Sequence, residues 1–295
     1  MDITILGTAG STPTKNRMMP GVALTYEGDT VLFDCGEGTQ MQMLKYGING
    51  FGIKCIFISH AHGDHIIGIA GLLRSLALNN RKEPLKIFIP EGYEEVVRSL
   101  IVFDKALINY KIDVIGIRGG VVYKGKGFRI SAFRLSHTIL TYGFVFKEED
   151  KLRFIKEKCA KIGIKGAMFS ELQRRKRIKV NGKIINISDV TKLQRGRKIV
   201  YASDTRPSVN TIRVAADADL LIHEATYNED HKDLAISRKH STAIEAARVA
   251  KKSGSKRLIL CHFSARYKNV NGLLKDARSV FRNTILANDG YKIVV

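Results

Sequence analysis

Short β-branched runs alternate with glycine turns and apolar-periodic stretches through the first half of the chain, and this pattern predicts strands at 2–6, 22–26, 30–34, 55–59 and 86–89. Helices are predicted at 39–46 and 66–78, the second because Ile69, Leu72, Leu73 and Leu76 recur at i, i+3, i+4 and i+7, one face of a 3.6-residue period. The second half repeats the scheme, with an apolar alternating run at 128–135, strands at 198–202, 220–223 and 257–261, and a helix at 242–252. Strand-to-strand and strand-to-helix connections are mixed. That excludes the steady β-α-β period of a plain doubly wound sheet and predicts an α/β domain of mixed connectivity.

Composition agrees with a folded chain: 295 residues, 44% hydrophobic and only 5 Pro, enough to bury a sizeable core and too apolar for global disorder. The start of the chain lacks a basic, then apolar, then small-residue leader pattern, and no apolar run approaches the ~20 residues that span a bilayer. The expectation is a soluble, cytoplasmic protein with no membrane partner. Cys35, Cys55, Cys159 and Cys261 are scattered without CxxC spacing, so they are expected to be reduced and buried rather than paired or zinc-bound.

Charge changes this picture. The chain carries 49 Lys and Arg against 28 Asp and Glu, a net +21, which points to a polyanionic partner, nucleic acid before membrane surface, with plain surface composition left open. Residues 151–198 hold 16 of the basic residues against Glu157, Glu171 and Asp189, a net +13, with Arg174, Arg175, Lys176 and Arg177 at the centre. An isolated charge run is ordinarily a solvated surface; beside a phosphate-cleaving site it becomes a substrate grip. Inside it, Asn181-Gly182 between two extended runs predicts a hairpin over 177–185. The organisation expected is a single domain over 1–295 with an inserted basic arm at about 151–198.

The chemistry concentrates in Ser59-His60-Ala61-His62-Gly63-Asp64-His65, directly after one predicted strand and directly before a helix. Four donors in six residues on a tight turn can converge on one centre, and imidazole with carboxylate suits Zn²⁺ or a similar ion. A dinuclear site needs donors from elsewhere. His137, Asp204 and His262 each follow a predicted strand, the edge at which open α/β sheets place their sites. Taken singly, His137 could be a satisfied structural histidine and Asp204 a turn or cap residue. Asp34 also ends a strand, before Cys35-Gly36-Glu37-Gly38; this is not a nucleotide fingerprint, and Asp34 is expected instead to orient a ligating histidine through its other ring nitrogen. His223 is expected to be structural rather than a ligand. His231, in a polar run, is expected to face solvent.

The set His60-x-His62-x-Asp64-His65, His137, Asp204 and His262 resembles the metallo-β-lactamase superfamily. Further segments, Phe33–Gln40, His223-Glu224-Ala225-Thr226, His240-Ser241-Thr242, 260–267 and the opening Gly7-Thr8-Ala9-Gly10-Ser11-Thr12-Pro13, are similar to the motifs of the ribonuclease Z family. The resemblance implies a four-layer αββα sandwich and two Zn²⁺ per chain: one held by His60, His62 and His137, the other by Asp64, His65 and His262, with Asp204 shared. It implies that Asp64 also accepts a proton from the attacking water, and that His240, oriented by Glu224, donates one to the leaving 3′ oxygen. His240 could equally be an ordinary residue before a helix start, and Glu224 could serve only to support a ligand from behind.

The implied activity is a metal-dependent phosphodiesterase reaction, a tRNA 3′-endonuclease. It removes the 3′ trailer from precursor tRNA, leaving a 3′-hydroxyl on the tRNA and a 5′-phosphate on the trailer. The resemblance further implies a homodimer whose flexible arm grips tRNA; Lys15, Arg17 and the Arg174–Arg177 tetrad are the candidate phosphate-binding residues. Two readings stay open beside it: a small-molecule metallo-hydrolase of the same fold, and a nucleic-acid-binding relative without catalysis.

Overall fold

The computed structural model describes residues 1–102 and 107–295, which fall into two compact units, one of residues 1–146 and 198–295 and one of residues 147–197. In the first unit, most of the predicted strands and helices form within one or two residues of their expected bounds, and they assemble into two seven-stranded sheets. The first runs in the order Lys292–Val294, Asp2–Gly7, Gly21–Tyr26, Asp29–Phe33, Ile53–Phe57, Leu85–Pro90, Ile112–Ile117; the second runs Thr284–Leu286, Leu258–Cys261, Leu220–Glu224, Lys198–Ala202, Tyr142–Glu148, Phe128–Arg134, Gly120–Gly125.

Period-two alternation explains the layering. Val31 and Phe33 point into a core shared by both sheets while Leu32 points out to the helices, and Phe57 and Ile56 divide in the same way. The shared core brings aromatic rings of the two sheets together: Phe33 stacks on Phe144 at 5.7 Å and on Tyr201 at 5.7 Å. On one outer face the helix Gly68–Leu78 buries Ile69, Leu72, Leu73 and Leu76; on the other, the helix Ala243–Ser253 buries Ala243, Ala246, Ala247 and Ala250. The result is the four-layer αββα sandwich. Thr242 caps the second of these helices, its hydroxyl accepting from Glu245 N.

The expected helix at 66–78 is interrupted. It forms as a turn, Gly63–Ile66, followed by Gly68–Leu78. The break has a packing reason: a Cβ on Gly68 would stand 1.9 Å from the Gly36 carbonyl oxygen, and one on Gly36 would stand 2.2 Å from the Asp64 carbonyl oxygen. The two glycines let the turn after Phe33 lie directly under the histidine-rich loop.

Strand direction then positions the chemistry. Asp29–Phe33 runs parallel to Ile53–Phe57, and Lys198–Ala202, Leu220–Glu224 and Leu258–Cys261 run parallel to one another, with Ala202 opposite His223 and Glu224 opposite Cys261. Parallel neighbours end at the same edge, so Asp34, the 59–65 loop, Asp204, Glu224 and His262 emerge together. An isolated antiparallel bridge between Ser136 and Arg206 brings the His137 turn to the same place.

The second unit has its own small core of Cys159, Ile164, Leu172, Ile178, Val180 and Val190. Strands Lys151–Phe154 and Thr191–Gln194 pair at its base, and the hairpin Arg177–Val180 with Lys183–Asn186 turns at Asn181 (φ 50°) and Gly182 (φ 79°), as the Asn-Gly pair predicts. Over 147–197 there are 16 basic residues against six acidic ones. All four cysteines are buried and free. Among the described residues, no helix is long and apolar enough to cross a membrane.

Candidate metal centre

The 59–65 loop leaves the strand Ile53–Phe57 with Ser59 and His60 fully buried, then turns so that His62 precedes the short helix Gly63–Ile66, which carries Asp64 and His65 on its first turn. Three overlapping donor groups result: His60 with His62, His137 and Asp204; Asp64 with His65 and His262; and Asp204 with His240 and His262, the last sharing two of its members with the others. In the first, His60 Nε2 lies 3.0 Å from His62 Nδ1, His137 Nε2 lies 3.3 Å from the same atom, and Asp204 Oδ2 is 3.7 Å from His60 Nε2 and 3.8 Å from His137 Nε2. In the second, Asp64 Oδ2 is 3.5 Å from His65 Nε2 and 3.6 Å from His262 Nε2. The other oxygen of Asp204, Oδ1, is 3.5 Å from His65 Nε2 and 3.1 Å from His262 Nε2. One carboxylate thus turns a different oxygen to each of the first two groups.

These donors fit metal ions. Tetrahedral ligands ~2.0–2.1 Å from one zinc stand about 3.3 Å apart, the spacing seen here. His65 Nε2, His262 Nε2 and Asp204 Oδ1 are also buried without a hydrogen-bond partner, which is costly unless a cation meets them. Burial first, and then the neighbouring His65, push the His60 imidazole well below its ordinary value, so it is held neutral as a ligand must be. Burial works against the Asp204 carboxylate, but His262 and His65 hold it well below the usual carboxylate range.

Four of the five imidazoles in the first two groups, all but that of His62, are held from behind. His65 Nδ1 donates to Asp34 Oδ2 at 2.8 Å, and Asp34 also accepts from Ser59 N at 2.7 Å and the Tyr201 hydroxyl at 2.7 Å. His60 Nδ1 meets Ser59 Oγ at 2.9 Å, His137 Nδ1 donates to the Lys239 carbonyl at 3.1 Å, and His262 Nδ1 meets Thr226 Oγ1 at 2.9 Å. Asp34 and His262 both have φ 58°, a left-handed backbone that costs a Cβ-bearing residue about 1–2 kcal/mol and is tolerated where the surroundings impose it.

Beside the donors, His240 Nδ1 donates to Glu224 Oε1 at 3.0 Å, and its ring stacks on His262 at 5.5 Å. Burial presses the His240 imidazole down, but Glu224 overrides it and raises the group to about 9. Glu224 is itself buried and held low against its burial by His240. Arg206 donates to the His240 carbonyl and pairs with Glu245, fixing this loop.

Of the other expected residues, His223 is buried with Nδ1 donating to the Glu224 carbonyl at 2.7 Å and belongs to none of the three donor groups. His231 does not face open solvent as expected; it is half-buried, with Nδ1 2.8 Å from the Tyr267 hydroxyl, because the short helical turn 229–231 folds it against that ring. Lys15 is exposed. Arg17 is half-buried, donating from Nη2 to the Tyr267 carbonyl at 2.7 Å. Arg174, Arg175, Lys176 and Arg177 are all exposed in the second unit, with Arg175 Nε 3.3 Å from Glu171. Residues that spacing alone does not mark also shape the centre: Ser11, whose N–H donates to Asp64 Oδ2 at 2.9 Å; Gly10, where a Cβ would stand 2.6 Å from the His262 ring; Thr226; and Tyr201 behind Asp34. Ser11, Gly10 and Thr226 lie within the family-like segments 7–13 and 223–226, though nothing local marks the contacts they make.

Comparison with known proteins decides the grouping. Ribonuclease Z of Methanothermobacter thermautotrophicus is 40% identical over 291 residues, 98% of this chain and 95% of that protein. The chain belongs to the ribonuclease Z family. Among solved structures similar to this ribonuclease Z-family chain, the short form of human tRNase Z gives a TM-score of 0.74 at 28% identity, covering 100% of this chain and 99% of that one. The metallo-β-lactamase fold protein YhfI of Bacillus subtilis gives 0.73 at 20% identity, covering 99% and 98%, which shows the fold. Residues 1–180, more than half the chain, match the family model described as Anti-Pycsar protein Apyc1, so the chain falls in that family over this stretch. The match takes in His60 to His137 and ends before Asp204, Glu224, His240 and His262.

Proposed function

We propose that the chain is a zinc-dependent, cytoplasmic endoribonuclease that removes the 3′ trailer from precursor tRNA, leaving a 3′-hydroxyl on the tRNA and a 5′-phosphate on the trailer. The observation that carries this reading is Asp204 turning one oxygen to His60 and His137 and the other to His65 and His262. On it, His60, His62, His137 and Asp204 hold one ion, and Asp64, His65, His262 and Asp204 the other. Two ions bound there supply Lewis-acid neutralisation of phosphoryl charge and an acidified water. Asp34 keeps His65 in the tautomer whose Nε2 is free to ligate.

Asp64 takes the proton of the attacking water, with Ser11 N holding its Oδ2 in place. His240 gives a proton to the departing 3′ oxygen: Glu224 engages Nδ1, which leaves Nε2 to meet the substrate. The exposed cations of 147–197, with Lys15 and Arg17, hold substrate phosphates. A homodimer belongs to the same reading, supported by Leu44 and Phe51, both exposed along one cavity of about 300 Å³ beside the helix Thr39–Tyr46, an apolar face a second copy would cover.

The test is cleavage of a trailer-bearing precursor tRNA by the zinc-loaded protein, expected to yield one cut and to fail with Asp64→Ala. Wild-type protein that spares the precursor but hydrolyses a small phosphodiester would replace this reading with a small-substrate hydrolase. Gly10 gives a second check. Gly10 is not among the positive-φ residues, and the three atoms nearest to an added Cβ all belong to the His262 ring, so Gly10→Ala crowds that ring first. The expected result is a second zinc held on the order of 10–100-fold more weakly, with the first unaffected, measured by competition with a coloured chelator. Two equally tight ions in the variant would count against His262 as a ligand.

A further inference from the structure

The Thr226 hydroxyl touches three groups of the centre at once. Its Oγ1 lies 2.6 Å from Glu224 Oε2, 2.9 Å from His262 Nδ1 and 3.3 Å from His240 Nδ1. A hydroxyl has one proton to give, and an ionised carboxylate can only accept. At 2.6 Å from Glu224 Oε2, the Thr226 proton must point there; otherwise two sets of lone pairs face each other in a buried, low-dielectric place. Thr226 Oγ1 is then an acceptor, and the proton between it and His262 belongs to Nδ1. A neutral imidazole protonated on Nδ1 has its lone pair on Nε2. That atom is buried, has no hydrogen-bond partner, and stands 3.1 Å from Asp204 Oδ1 and 3.6 Å from Asp64 Oδ2. A lone pair confronting two carboxylates is a stable arrangement only with a cation among them.

We infer that Thr226 is a positioning residue that passes the hydrogen-bonding demand of Glu224 to His262 and so commits His262 to the tautomer that binds the second ion. Glu224 thereby orders two histidines by different routes, His240 directly through Oε1 and His262 through the Thr226 hydroxyl on Oε2. The inference rests on the reading of His262 as a ligand. It adds that the proton-donor side and the metal side of the centre share one carboxylate, and that the link between them is a single hydroxyl.

Thr226→Val keeps the branched shape and removes the hydroxyl, leaving His262 Nδ1 buried without a partner; Thr226→Ser keeps the hydroxyl. Zinc titration of the metal-free full chain against a competing chelator reads the effect without any turnover. The expected result is two ions per chain in wild type, a second ion bound about 10–100-fold more weakly in Thr226→Val, and wild-type affinity in Thr226→Ser. Equal second-ion affinity in Thr226→Val overturns the inference and leaves the ligand reading intact. An equal loss in Thr226→Ser also overturns it, since the effect would then be packing. A wild type that never takes a second ion removes the ligand reading and the inference with it. The tautomer can be read without a variant. In zinc-loaded wild-type protein with ¹⁵N-labelled histidine, His262 is expected to carry its proton on Nδ1, and a proton on Nε2 overturns the inference.

Discussion

Asp204→Asn is expected to lower precursor-tRNA cleavage by on the order of 10³-fold or more, with zinc content falling well below two ions per chain. Asparagine preserves the size and planarity of the side chain, so the buried packing at this position, 3% exposed, is retained and the folded state should survive. What is lost is charge and symmetry. Asp204 offers an oxygen to each of the two proposed ion sites, whereas the amide offers one oxygen and one NH₂, and the NH₂ cannot ligate. Whichever way the amide turns, one of the two groups loses its fourth donor. The variant also leaves five imidazoles sharing one fewer negative charge in a buried space. Metal analysis and single-turnover cleavage on the same preparation decide the matter: near-wild-type cleavage with two ions bound would mean that the carboxylate is not shared.

Much of this site is legible from spacing, because its donors sit at strand ends and strand ends are the part of an α/β fold that local patterns mark best. His60 to His65 follow one β-branched run, Asp204 follows Ile199–Ala202, and His262 follows Leu258–Cys261. Which oxygen of Asp204 faces which histidine is not local information; it arises from the parallel registers that bring those ends together. Thr226 and Tyr201 were illegible as site residues for the same reason. Their hydroxyls matter only because distant chain segments place His262 and Asp34 against them, 36 and 167 residues away.

The elements hardest to read were short or half-buried: Thr284–Leu286 and Lys292–Val294 are three-residue strands stabilised by pairing with Leu258–Cys261 and Asp2–Gly7, and Ile112–Ile117 is a sheet edge with only Ile117 fully buried. In 147–197 the charge obscured the helices Lys156–Ile162 and Met168–Arg175, which present Cys159 and Leu172 as their only fully buried residues. The hairpin beside them was readable because an Asn-Gly turn is a strictly local signal.

Replacing Arg174, Arg175, Lys176 and Arg177 together by glutamine is expected to flatten the salt dependence of tRNA binding while leaving hydrolysis of a small phosphodiester near wild type. Each cation that neutralises a phosphate releases condensed counterions, so the slope of log affinity against log salt changes by somewhat under one per contact; loss of all four predicts a slope shallower by about 3. The fold should tolerate the change. All four side chains are exposed, the buried Leu172, Ile178 and Val180 beside them are untouched, and the surface pair Arg175 with Glu171 is worth only about 0.2–0.5 kcal/mol.

The two readouts separate grip from chemistry. If these cations position the substrate through its backbone, binding weakens most at low salt and the sequence of the tRNA is immaterial. An unchanged slope would remove the tetrad from the binding surface and leave the chain's remaining positive charge to account for any affinity. A slope that flattens together with a loss of small-substrate hydrolysis would mean instead that the substitutions disturb the metal centre, and circular dichroism with zinc content on the same variant would tell that outcome from simple unfolding.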